Sequence, residues 1–460
     1  MDLNKLLIEI NKDDNCGKKH ELQTKIIEID ENLLPKLGKK FLEYNFGKKV
    51  HLVGDVNTFQ ACADIEFVLK AAGFQTSKTK FINMIHADIT NTDEIINNVK
   101  KAKADILLAV GSGSIIDLTR FSAFKLNKPF VIFASAPSMD GFCSSVSPLY
   151  ENGFKRTFSA AAPIAVFADT KILSRSPLML CQAGYGDMIG KITSLADWKI
   201  ANIVTGEYYC EKIAEMTQNA LNLACDSAIG IKNREQQALK NLMEALVLSG
   251  LAIQLNGNSR PASGSEHQCA HYWEMMYPKK IKKASELPIL AGVTMDQKMY
   301  RDSIWDTKIN PLNTMKATQD IFHGTRVGIT TAQICHLYSK YSDINDIKVS
   351  HKKYDIKMII GIFKKNDLYK EFENEFNPNP LAEIDCGILR EKWQEIKQIL
   401  KELPTSIDVQ NLLDLAGAPK TGKDVGFEQI FINKILENAK YIRRRITFAK
   451  LIELIDNKVI

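Results

Sequence analysis

The hydrophobic pattern changes character about a third of the way along the chain. Up to residue 170, short apolar runs alternate with amphipathic stretches. VHLVGD (50–55) is a compact apolar run, FQACADIEFVLKAAGF (59–74) repeats apolar residues at helical spacing, and FINMIHA (81–87) reads as a strand. TDEIINNVKKAKA (92–104) reads as a helix opened by a Thr- or Asx-type cap, ADILLAV (104–110) as a wholly apolar strand, IIDLTRFSAFKLN (115–127) as a helix and PFVIFASAP (129–137) as a further strand. Strands with no polar face are buried on both sides, and strands alternating with helices pair in parallel.

A last strand falls in IAVFADTKILSRSPLML (164–180), where SRSP marks a turn. Helical periodicity then dominates, at 187–204, 207–225, 233–256, 261–275, 325–341, 389–402 and 428–455. FNPNPLAEIDC (376–386) reads as a loop and 277–322 as irregular chain. The pattern predicts an α/β domain with a parallel sheet over 1–170 and an all-α domain over 171–460.

Composition narrows the class. Of 460 residues, 45% are hydrophobic and 25% charged, which suits a soluble globular protein and excludes a disordered or collagen-like chain. Lys+Arg 60 against Asp+Glu 54 leaves a net charge of +6. The basic runs PKKIKK (278–283) and RRR (443–445) are short and read as solvated faces, so a nucleic-acid partner is not expected. A small cationic excess suits an anionic small molecule instead.

The nine cysteines are odd in number, no two are three apart, and most sit in apolar runs. They read as reduced thiols of a cytoplasmic protein, not as a disulfide framework or a Cys-ligated zinc. The first twenty residues carry scattered charges and no secretory leader, and no run of about 18 apolar residues predicts a membrane span.

Two constellations carry chemistry. ADILLAVGSGSIID (104–117) places a glycine-rich turn between a buried strand and a helix. Glycine lets the backbone approach a ligand closely, and the free N–H groups of the helix N-terminus attract phosphate. Asp55, ending the first strand read, is placed to accept from an adenosine ribose, which would favour NAD over NADP. A plain tight turn fits the same residues, because the GxGxxG fingerprint is absent. SAPSMDGFCSS (135–145) places its hydroxyls and Asp140 on the carboxyl side of the sheet.

The second constellation lies in the helical half. Asp187 follows GYG and opens a helix; His267 and His271 lie four apart in SGSEHQCAHYW (263–273), on one helix face; His323 opens HGTRVGI (323–329). One carboxylate and two imidazoles make a three-ligand metal site with an open position. Each residue also fits a structural role, Asp187 and His323 as caps and either of His267 and His271 as a core histidine. Lys191, one turn after Asp187, and Arg260, before the histidine helix, are candidate cations for an anionic group. Either equally fits a surface salt bridge.

GSGSIID (111–117), SMDGFCSS (138–145), GYGDMIGKITSLADWKIA (184–201), SRPASGSEH (259–267), HGTRVGI and RRRITFAKLIEL (443–454) together resemble the sn-glycerol-1-phosphate dehydrogenase family, in its bacterial AraM-like branch. That family lies within the iron- or zinc-containing polyol dehydrogenase and dehydroquinate synthase-like group. The resemblance runs from about residue 48 to the C-terminus. It implies a dehydroquinate synthase-like fold and reduction of dihydroxyacetone phosphate to sn-glycerol 1-phosphate by NAD(P)H. Another phosphorylated or polyol ketone is the alternative substrate, and a dehydroquinate synthase-type lyase the alternative chemistry.

The resemblance makes Asp187, His267 and His323 the metal ligands. It gives Gly111, Ser112, Gly113 and Ser114 to the cofactor pyrophosphate and Asp55 to the ribose, with Asp117, Ser135, Ser138 and Ser144 also near the nucleotide. Asp140, Lys191 and His271 would lie near substrate or nicotinamide, with Lys191 and Arg260 on the phosphate. Iron-type relatives place a further histidine where this chain has Lys191, which suits three-ligand zinc or nickel. The resemblance also implies a homodimer or larger assembly. The spacer 272–322, including DQKMYRDSIWD (296–306), is longer than the family's usual one and puts the exact ketone in question.

Overall fold

Six parallel strands form one sheet: β1 (Ile26–Asp30), β2 (Lys49–Asp55), β3 (Gln75–Phe81), β4 (Ile106–Gly111), β5 (Phe130–Ala134) and β8 (Ala165–Asp169). Between β5 and β8 an antiparallel hairpin, β6 (Val146–Glu151) and β7 (Phe154–Ser159), stands apart as a two-stranded sheet. The computed structural model describes residues 3–12, 16–82, 86–276, 321–352, 356–364, 368–376 and 378–456. Residues 296–306, where the sequence suggests an insertion, lie outside them, as does the basic run 278–283.

Both faces of the sheet are covered, as its apolar strands require. Along β4, Ile106, Leu108 and Val110 point to one side with Val50, Leu52, Val131 and Phe133, packed under Phe41 and Phe74. Leu107 and Ala109 point to the other side with Val53, Ile132 and Ala134, and this core runs on into Tyr185, Met188 and Leu246 of the helical half. A further core, built on Trp273, Tyr338, Trp393 and Phe448, holds the C-terminal helices together.

The strand order is β1-β8-β5-β4-β2-β3. From β2 the chain moves outward to β3, then returns to β4 on the other side and continues toward β5. The order therefore reverses between β2 and β4, and a ligand crevice is expected at their carboxyl ends. Asp55 ends β2 and Gly111 ends β4.

Several elements differ from the expectation. The strand anticipated at 81–87 lies earlier in the chain: β3 spans Gln75–Phe81 and shares only Phe81 with it, His86 and Ala87 are not in a strand, and residues 83–85 lie outside those described. As an edge strand β3 is polar and half-exposed, so its apolar signal is weak. The 59–74 helix breaks in two, Val56–Ala61 and Ile65–Ala71. The helix expected over 428–455 is Gln429–Asn438 followed by short turns and Phe448–Leu451. Strands β1, β6 and β7 carried no clear signal.

The helix Gln236–Asn256 is long and apolar enough to cross a membrane, but 78% of its apolar window is buried within the fold. Its apolar content reflects a core position.

Candidate active site

A cavity of about 1190 Å³ opens at the switch point and runs from Asp55 and the glycine turn past Ser135, Ser138 and Asp140 to Asp187, His267, His271 and His323. At one end of the cavity, β4 passes through Ser112 into the helix Gly113–Lys125. Gly113 holds φ +42, and no heavy atom lies within 4 Å of where a β-carbon would project. A left-handed backbone and open space in front of a helix N-terminus form a cradle that a side chain would fill. The site therefore suits a pyrophosphate. Ser114, Asp117 and Ser144 also line the cavity; Gly111, the last residue of β4, does not.

Asp55 is partly committed. Its Oδ1 accepts from the Thr58 backbone N at 2.8 Å, while the Thr58 hydroxyl accepts from Asp55 N, a capping box on the helix Val56–Ala61. Asp117 is an anchor: it pairs at 2.7 Å with the fully buried Arg120, which also bonds the carbonyls of Gly141, Phe142 and Val146. Burial pushes the Asp117 carboxyl up to about 6 despite that guanidinium. The Ser144 hydroxyl is occupied locally with Val146.

At the other end, glycines bring the ligand helices together. A β-carbon on Gly186 would stand 2.4 Å from the Gly324 carbonyl oxygen, and one on Gly324 would stand 1.9 Å from that of Ala183. The helices Leu178–Ile189 and His323–Ser342 thus cross backbone to backbone, placing Asp187 beside His323. Asp187 does not open a helix, as the sequence suggested. It sits in the last turn of Leu178–Ile189, and the next helix starts at Lys191.

Candidate ligand atoms of Asp187, His267 and His323 all lie within 4.8 Å of one another. Asp187 Oδ2 accepts from the Asp140 backbone N at 2.9 Å. Its Oδ1, buried and 3.2 Å from His267 Nε2, lacks the alignment of a hydrogen bond. An orphaned carboxylate oxygen facing imidazole nitrogens is a donor set that could hold a cation. Burial would raise the Asp187 carboxyl, but Lys191 and the His267 contact outweigh it and hold it well below the usual range.

Two further carboxylates, missed in the sequence, orient the rings. His267 Nδ1 donates to Glu266 Oε1 and His323 Nδ1 to Glu274 Oε1, each at 2.8 Å. Fixing the proton on Nδ1 leaves each Nε2 lone pair for a metal, the usual outer-sphere arrangement of ligating histidines. Against its burial, the Asp187 carboxylate first and then Glu266 raise the His267 imidazole to about 9. The signal was present in outline: Glu266 adjoins His267, and Glu274 lies two turns along the same helix, Ser265–Met276.

His271, Glu274 and His323 form a second cluster of ligand atoms. It is the weaker metal site, because Glu274 Oε1 already serves His323 and Oε2 lies 2.8 Å from Lys155 Nζ. Burial, with Lys155 and His323 nearby, holds His271 well below its ordinary range and so neutral.

The two expected phosphate cations are spent elsewhere. Lys191 is fully buried; its Nζ donates to Asp140 Oδ2 at 2.6 Å and to the Ala262 carbonyl at 3.0 Å, and it does not line the cavity. Arg260 binds the Glu207 carboxylate through Nε at 2.6 Å and through its second nitrogen, and donates to the Ile446 carbonyl at 2.6 Å. A desolvated cation takes the nearest carboxylate, and these partners come from elements that sequence spacing does not connect. Among the described residues, the lysine and arginines lining the cavity are Arg120, Lys155 and Arg326.

Residues 28–177 match the iron-containing alcohol dehydrogenase family. Over 442 residues the chain is 29% identical to a glycerol-1-phosphate dehydrogenase [NAD(P)+] of Halalkalibacterium halodurans, covering 94% of this chain and 93% of that one. A protein of the same name from Bacillus velezensis is 38% identical over 292 residues, 62% of this chain and 72% of its own. Among solved structures, NADH-dependent butanol dehydrogenase A of Thermotoga maritima superposes with TM-score 0.56 at 15% identity, covering 94% and 92% of the two chains. An iron-containing alcohol dehydrogenase of Corynebacterium glutamicum gives 0.58 at 13%, covering 95% and 97%. At such identities the structural likeness speaks for the fold alone.

Proposed function

The chain belongs to the glycerol-1-phosphate dehydrogenase family and is an NAD(P)-dependent oxidoreductase acting on a polyol phosphate, and from that premise we propose that it reduces dihydroxyacetone phosphate to sn-glycerol 1-phosphate with a divalent metal bound at Asp187, His267 and His323. The observation that carries the proposal is Asp187 Oδ1, buried, without a hydrogen bond and 3.2 Å from His267 Nε2, on the wall of the cavity that begins at the glycine turn. The donor set of one oxygen and two imidazole nitrogens suits zinc or nickel.

The dinucleotide lies, in this proposal, on residues 1–170, with its pyrophosphate over 111–114, its ribose at Asp55 and its remaining contacts at Asp117, Ser135, Ser138 and Ser144. Metal and most substrate contacts come from 171–460. A bound cation would polarise the ketone, and the nicotinamide would supply the hydride.

The chain's own side chains do the rest. Glu266 and Glu274 keep protons on Nδ1 of His267 and His323. Lys191 neutralises Asp140, whose backbone N–H holds Asp187 Oδ2 in place. Neutral His271, its ring centroid 5.1 Å from that of His323, can relay a proton to the C2 oxygen. The phosphate falls to Lys155 and Arg326, which line the cavity beside Glu274, in place of Lys191 and Arg260.

The test is NADH oxidation by metal-reconstituted protein over dihydroxyacetone phosphate and dihydroxyacetone. A charge-assisted hydrogen bond is worth roughly 1.5–3 kcal/mol. Lys155→Met should therefore raise KM for the phosphorylated ketone about tenfold or more and affect the free ketone less, through Glu274 alone. Failure of the wild type to oxidise NADH with dihydroxyacetone phosphate would overturn the substrate assignment. An Asp187→Asn variant with undiminished metal content would overturn the ligand set.

A further inference from the structure

Far along the chain from these ligands, the N-terminal segment brings a second group of donor atoms together. His20 is buried, and its Nδ1 lies 2.8 Å from the Leu255 carbonyl, which can only accept. The ring proton therefore sits on Nδ1, and Nε2 presents a lone pair. That lone pair faces Cys16 Sγ at 3.3 Å, Cys210 Sγ at 3.7 Å and the Tyr208 hydroxyl at 3.4 Å. The ligand atoms of Cys16, His20 and Cys210 all lie within 4.8 Å of one another.

We propose that Cys16, His20 and Cys210 form a second, structural metal site that takes a thiophilic divalent cation such as zinc and clips the N-terminal segment to the helical half. Zinc at about 2.3 Å from sulfur and about 2.0 Å from nitrogen sets tetrahedral ligand atoms roughly 3.5–3.8 Å apart, close to the spacing here. The Tyr208 hydroxyl, or a water in its place, completes the fourth position.

The surroundings hold the donors in place. Asn11 bonds both backbone groups of His20, its Oδ1 accepting from the N–H at 2.9 Å and its Nδ2 donating to the carbonyl at 3.0 Å. Lys18 Nζ reaches the Asn256 carbonyl at 3.0 Å while lying 4.7 Å from the centre of the Tyr208 ring. Cys210 stands at the start of the helix Glu211–Asp226. Burial raises both thiols; hydrogen bonding with Tyr208, the Lys18 backbone, His20 and Cys210 outweighs it at Cys16 and brings that thiol down to about 7, while Cys210 stays above its ordinary value. On metal binding both thiols release their protons to solvent, and two thiolates balance the dication.

The ligand set proposed for catalysis contains no sulfur, so a thiolate-to-metal charge-transfer band that requires both Cys16 and Cys210 reports on the new site. Full-length reduced protein is titrated with Co²⁺ and followed in the near ultraviolet. A thiolate charge-transfer band is expected in the wild type and in Asp187→Asn, and is expected to vanish in Cys16→Ser and in Cys210→Ser. Cys16 is half-buried, so its serine variant should fold. No band in the wild type, or one that survives either serine substitution, would overturn the site. So would a Cys16–Cys210 disulfide in protein isolated without reductant and then resistant to metal loading, which would make the pair a redox bridge.

Discussion

Glu274 Oε1 stands 2.8 Å from His323 Nδ1, joining residues 49 apart in the chain beside the cluster of candidate ligands. The same carboxylate reaches Lys155 with its other oxygen and lies 3.5 Å from Arg326. One side chain thus fixes the tautomer of a candidate ligand and holds the cations assigned to the substrate phosphate. Burial alone would raise its pKa, but Lys155 and His323 outweigh that and keep it ionised, well below the ordinary range.

Glu274→Gln keeps the shape and removes the charge. An amide holds the His323 ring less firmly and makes Nε2 a poorer donor, so metal affinity should fall by about 10–100-fold. Competition against a chelator measures this directly. Unchanged affinity would mean that the contact does not act on the metal.

The crossing of the two ligand helices depends on the absence of a side chain at Gly324, where a β-carbon would meet the Ala183 backbone oxygen at 1.9 Å. Backbone cannot swing aside as a flexible side chain can. Gly324→Ala should cost about 1–3 kcal/mol of stability and lower metal occupancy together. Thermal unfolding with and without metal separates the two effects, and a variant as stable as wild type would refute the close approach.

Gly113→Ala places a methyl group in the open space before the helix N-terminus and strains a left-handed backbone. A non-glycine residue in that region costs about 1–3 kcal/mol, so the turn would shift or lose stability. KM for NADH should rise at least several-fold while metal content is retained. Equal KM values would remove the turn from the cofactor site.

His51 offers a test of pH dependence outside the site. It is buried in β2, with Nδ1 2.8 Å from the Ser77 hydroxyl and Nε2 2.9 Å from that of Thr79. Burial lowers its imidazole from 6.5 to about 4. The unfolded chain then binds the proton more readily between those values. The contribution to stability is complete above about pH 6.5 and is lost as pH falls toward 4, amounting to about 3 kcal/mol at one pKa unit per ~1.4 kcal/mol. Urea unfolding at pH 7 and pH 4.5 should show a smaller loss in His51→Gln than in wild type; an equal loss would rule His51 out as a contributor.

What the sequence determined by itself was whatever is written locally. Apolar runs such as 106–110 demand burial on both faces, and so a parallel sheet under helices. A glycine turn between strand and helix suits an anion, and histidines spaced along a helix announce possible ligands. What only the tertiary structure decided was which partner each charged group finds. Lys191 and Arg260 looked available for a phosphate, yet fold into pairs with Asp140 and Glu207, while Lys155, unremarked in the chain, faces the cavity. The polar edge strand β3 and the clustering of Cys16, His20 and Cys210 were hidden for a related reason. Burial, helical period and turn geometry are short-range and leave a pattern in the residues. Charge pairing and metal geometry depend on close approach between distant segments, which exists only once the chain has packed.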